Sequence, residues 1–65
     1  MKDYFVFERM VTITGEQYDE LVDVVTAKTK ESAINKAYKD NKVKSGTVVP
    51  PYHRQKENFW AKVIF

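Results

Sequence analysis

Residues 50–60, PPYHRQKENFW, hold the side chains of this chain whose types and spacing most resemble a site. Tyr52, His53, Arg54, Lys56 and Trp60 interleave aromatic planes with cations. Rings stack on bases, and a guanidinium fork clamps an oxyanion. On this reading the target is either a protein surface or a small anionic nucleotide; for the nucleotide, Arg54 and Lys56 hold phosphates while Tyr52 or Trp60 lies against a base. The competing reading is a polar connection entering a buried strand, with Trp60 in the core and its indole N–H seeking an acceptor.

Other chemistries find less material. A nucleophile needs a base within hydrogen-bond reach and a third group to orient that base. This chain offers two Ser, one His and no Cys. The carboxylates Asp19, Glu20 and Asp23 read as a solvated strand face. Gly15 and Gly46 are too few to cradle a phosphate, and one His without Cys builds no closed zinc site. The sequence therefore points to a binding protein rather than an enzyme, with no cofactor or metal.

Charge is unevenly spread although the net value is +2. Residues 1–27 carry two basic against six acidic side chains, −4. Residues 28–44 carry six Lys against Glu31 and Asp40, +4, and the remainder carries +2. Lys36, Lys39, Lys42 and Lys44, with Arg54, define an alternative reading as a nucleic-acid-binding module. Lysine–phosphate contacts are the usual source of nonspecific affinity, but a lysine-rich helix also simply keeps a small domain in solution.

These residues must be positioned by few elements, because the whole chain has 65 residues. A single domain of that size gains only about 3–5 kcal/mol from its core unless something braces it. Without disulfides, the brace is aromatic packing or self-association. Residues 3–14 are β-branched and aromatic, with Phe5, Phe7, Val11 and Ile13 on one parity interrupted by Arg9, and they predict a strand. Gly15 and Glu16 turn the chain. Residues 18–28 alternate less cleanly, with Tyr18, Val22, Val24 and Thr26 on one side, which a β-bulge or a helical start would explain. Thr29 is a predicted N-cap for a helix over about 30–41, with Ala33, Ile34, Ala37 and Tyr38 as its apolar stripe. Thr47–Val49 is a possible short strand, and Pro50 and Pro51 stop its ladder and keep the chain extended there. Residues 58–65 predict a last strand that is apolar on both faces.

The expected fold is α+β: an antiparallel sheet of three or four strands with one helix across one face, in the order β, β, α, β. One helix covers one face. The other, drawn from Trp60, Ile64, Tyr4, Val6, Val22 and Val24, is expected to meet a partner, in the first instance another copy, making the chain a homo-oligomer. The amino-terminal MKDYFVFERM lacks a signal-type apolar run, and no stretch is long enough to cross a membrane as a helix, so a cytoplasmic protein and a complete small reading frame are expected.

The stretch VVTAKTKESAINKAY joins a strand ending in V-x-A, a Thr/Ser/Glu cap and an A-I-x-K-A helix. Over about residues 4–40 it resembles the small ββαβ proteins of phages and mobile elements of Gram-positive bacteria. The resemblance implies a phage product that inhibits or sequesters a host component in the host cytoplasm, a structural or assembly role being the remaining alternative.

Overall fold

The computed structural model describes residues 1–44 and 52–64, the side chains of residues 43, 44 and 52 excepted. The expected strand Thr47–Val49, the proline pair and Phe65 lie outside the described residues.

Strand β1 (Lys2–Val11) and strand β2 (Gln17–Ala27) form an antiparallel hairpin. Its turn closes with the Gly15 N–H donating to the Thr12 carbonyl (3.0 Å) and the Thr12 N–H to the Glu16 carbonyl (2.8 Å). Gly15 adopts φ +88°, a left-handed value that only glycine takes without strain. Helix α1 (Lys30–Asp40) comes next in the chain. The Thr29 hydroxyl accepts the Ser32 N–H at 3.1 Å, which satisfies one of the donors that a helix start leaves without a partner. Two short strands, β3 (Val43–Lys44) and β4 (Tyr52–His53), pair with each other, and the Arg54 N–H bonds the Lys42 carbonyl at 2.8 Å. A 3-10 turn (Lys56–Asn58) leads into β5 (Phe59–Val63), which runs antiparallel to β1. The three-stranded sheet has the order β2-β1-β5, so the first strand in sequence is the central one. The fold is the expected α+β architecture, with three strands in the main sheet and a separate two-residue ladder.

The helix packs on one face. Tyr4, Val6, Val25, Ala27, Ala33, Ala37, Phe59 and Ala61 are buried there, with Val22, Ile34, Tyr38 and Val63 against them. Among the described residues, four of the eight buried apolar ones are alanines. Small side chains let the helix approach the sheet, but they bury little apolar area each.

The irregular pattern of the second strand has a physical cause. Asp23 lies opposite Val6 and Leu21 opposite Phe7, so Val22 is an extra residue in a bulge. The bulge shifts the alternation, placing Val22 against the core while Val24 and Leu21 stay on the far side. The Asp23 carboxylate ties the irregularity down, accepting the Val24 N–H at 2.8 Å and the Asn41 amide at 3.1 Å. Three residues expected on the uncovered face therefore belong to the covered one: Tyr4 and Val6 are buried under the helix and Val22 packs beside them. Phe5 and Phe7 take their places.

Candidate functional site on the uncovered sheet face

Among the described side chains of the loop constellation read from the sequence, Arg54 and Trp60 do not converge. Arg54 turns inward, its side chain only 9% exposed. Its Nη1 donates to Glu8 Oε1 at 2.7 Å and its Nη2 to Glu20 Oε1 at 3.4 Å. Glu8 is fully buried, and its other oxygen accepts the Gln55 N–H at 3.3 Å. The Arg54 Nε is buried and finds no hydrogen-bond acceptor. Trp60 projects from the opposite side of the sheet. The reason is strand alternation: neighbouring residues of β1 point to opposite faces, Glu8 toward Arg54 and Phe7 toward Trp60. A clamp with phosphate on Arg54 and a base on Trp60 is thus not assembled within the subunit.

The remaining loop residues are scattered. His53 is exposed. The Tyr52 backbone belongs to β4, and its side chain lies outside the described residues. Lys56 lines an open groove of about 600 Å³ with Ile34, Tyr38, Gln55, Glu57 and Phe59. Its charge is offset there by Glu57, and Tyr38 already meets Phe59 edge to face at 5.6 Å. Lys36, Lys39 and Lys42 are exposed on and just after the helix, on the far side of the molecule from Trp60, whereas the Lys44 side chain lies outside the described residues. Arg54, committed to Glu8, leaves the proposed nucleic-acid set.

The uncovered face brings together a different group. Across the strands, register places Val24, Phe5 and Lys62 in one row and Leu21, Phe7 and Trp60 in the next. Beyond the first row lie Thr26 and Asp3, beyond the second Asp19 and Arg9. Trp60 stacks on Phe7 with centroids 4.5 Å apart and planes 22° apart, and Phe5 lies 6.2 Å from Phe7. The indole N–H then reaches over the central strand to Asp19 Oδ1 at 2.9 Å. Arg9 Nε stands 3.6 Å from the same oxygen. Trp60 thus shares an acceptor with Arg9 rather than with Arg54, and the two, with Glu57, Asn58 and Phe59, line a pocket of about 170 Å³.

Despite the stack, this face stays open. Leu21 is 51% and Val24 53% exposed, while Phe5, Phe7, Trp60 and Ile64 are half-buried. Sequence reasoning missed Arg9, Asp19, Phe5 and Phe7 as members of one surface. The available signal was Arg9 itself, a charge on an otherwise apolar parity.

Among the described residues no group of three or more His, Cys, Asp or Glu is placed to hold a metal ion, and no helix is long and apolar enough to cross a membrane. Comparison of the chain with models of known families, with curated proteins and with solved structures gives no match. The functional reading rests on the geometry.

Proposed function

We propose that the chain is a non-enzymatic binding protein whose working surface is the uncovered sheet face, and whose partner is a folded polypeptide presenting apolar side chains bordered by charges of both signs. The observation that carries this is the half-exposed pair Leu21 and Val24 beside the Phe5–Phe7–Trp60 cluster. Contiguous apolar surface on a small domain marks an interaction site. The electrostatics favour a polypeptide over a polyanion: the face carries Arg9 and Lys62, but also Asp3 and Asp19, and each acid would repel a phosphate backbone. A small anionic nucleotide is disfavoured for the same reason and because Arg54 is already paired.

A photoreactive side chain at position 24, with position 36 on the helix as control, tests the reading in cells making the protein. Adducts from position 24 to one polypeptide species identified by mass, and suppressed by excess unmodified chain, are expected. Nucleic-acid adducts, adducts from position 36 alone, or none from position 24 would remove it.

A further inference from the structure

Resting on that reading of the sheet face, we infer that its occupant is a second copy of the same chain, packed face to face about a two-fold axis that lies between the sheets and runs across the strands, above the midpoint between Phe5 and Phe7. The inference comes from the pattern of the face rather than from its apolarity alone. Such an axis lays each strand over its own copy in reverse. Phe5 then meets the stacked Phe7 and Trp60 rings of the second copy, Val24 meets Leu21, Lys62 approaches the indole and Asp3 meets Arg9, each contact occurring twice.

Every pairing in that set is favourable in kind. Asp3 with Arg9 joins opposite charges, and the Arg9 side chain is 57% exposed, with its Nε 3.6 Å from Asp19. Lys62 over the indole is a cation–π contact. The exposed apolar residues also match one another. Leu21 and Val24, each about half exposed, lie over one another. The other two-fold available to facing sheets runs along β1. It would stack Arg9 on Arg9 and Asp3 on Asp3, and like charges brought together act against that arrangement. Aligned sheets cross at about 30°, which moves Asp3 and Arg9, about 10 Å from the axis, roughly 5 Å sideways, about one strand spacing and within reach of an arginine.

Joining through the β2 edge of the sheet is less suited. The outer strand β2 is bulged at Val22 and carries Asp19, Glu20 and Asp23, and bulges and charges are the devices that blunt an edge. The face also has a size. Ten residues of β1 at about 3.3 Å and three strands about 4.8 Å apart outline roughly 33 by 14 Å. That projection, on the order of 460 Å² per subunit, is below the standard interface of about 800 Å² per partner, so the dimer dissociates on dilution.

The chain has no cysteine, so introduced ones report the arrangement without interference. An Asp3→Cys chain mixed with an Arg9→Cys chain is treated with a short thiol cross-linker, and each is also treated alone. Cross-linked dimer in the mixture and little in either sample alone is the expected result, because like positions lie about 20 Å apart along the strands. Cross-linking of Asp3→Cys with itself, or none in the mixture, overturns the arrangement. Sedimentation equilibrium of the unaltered chain from about 1 μM to 1 mM completes the test, and a monomer throughout overturns the second copy as occupant. If the chain stays monomeric while the probe at position 24 still captures one foreign polypeptide, the docking face stands and only its occupant is wrong.

Discussion

At the scale of single residues, the central fact is that Arg54 is spent on Glu8. A fully buried carboxylate is tolerable only when paired and hydrogen-bonded, and Glu8 receives both the guanidinium and the Gln55 N–H. Removing one partner of such a pair costs about 3–5 kcal/mol, whereas replacing both with apolar groups is often neutral. Arg54→Met should therefore unfold or nearly unfold the domain in urea titration, and the Glu8→Met/Arg54→Met double variant should recover most of the loss. An Arg54→Met variant as stable as its parent would return Arg54 to the set of ligand-binding residues. Trp60 shows the opposite logic. Its ring is stacked, but on the outside, and its N–H bond to Asp19 holds the indole flat across the sheet. Trp60→Phe keeps an aromatic on Phe7 and loses that bond, so thermal unfolding should report a cost of about 1 kcal/mol.

At the scale of elements, local signals and structure agree where a local cause suffices. The Thr29 cap, the helix over Lys30–Asp40 and the Gly15 turn arise from short-range rules and were legible. Thr29→Ala should cost about 1 kcal/mol through the lost cap, and Gly15→Ala at least as much through its positive φ, both read from urea midpoints. The second strand was legible as a strand with a defect. Which residue bulges depends on pairing with β1 and on the tie from Asp23 to Asn41, residues 18 positions apart. A one-residue slip reverses the facing of every residue beyond it, so the sequence alone put Val22 on the wrong side; Tyr4 and Val6 were grouped with the uncovered face because which side of the regular strand β1 the helix covers is set by long-range packing.

At the scale of the whole molecule, a thin alanine-rich core on one side of the sheet and aromatic rings on the other state the same problem twice. Among the described residues four of eight buried apolar ones are alanine, so these contribute modestly, and further burial on the open face would brace the fold. Association that binds only the folded state raises apparent stability with concentration. The melting temperature should accordingly climb as protein concentration rises, and the fluorescence of Trp60, the single tryptophan, should shift to the blue over the same range. A melting temperature independent of concentration would mean that the monomer is the stable unit and the open face serves another partner.

The amino-acid sequence by itself determined the order of the helix and the three long strands, the helix cap, the hairpin turn and the excess of apolar surface over what one helix can hide, because each depends on neighbouring residues or on composition. Only the tertiary structure decided which cation stands beside Trp60. Glu8 and Phe7 are adjacent in the chain but face opposite sides of the central strand. That alternation draws Arg54 into the interior and leaves Arg9 on the surface with the rings, an outcome set by strand pairing between residues more than 40 positions apart.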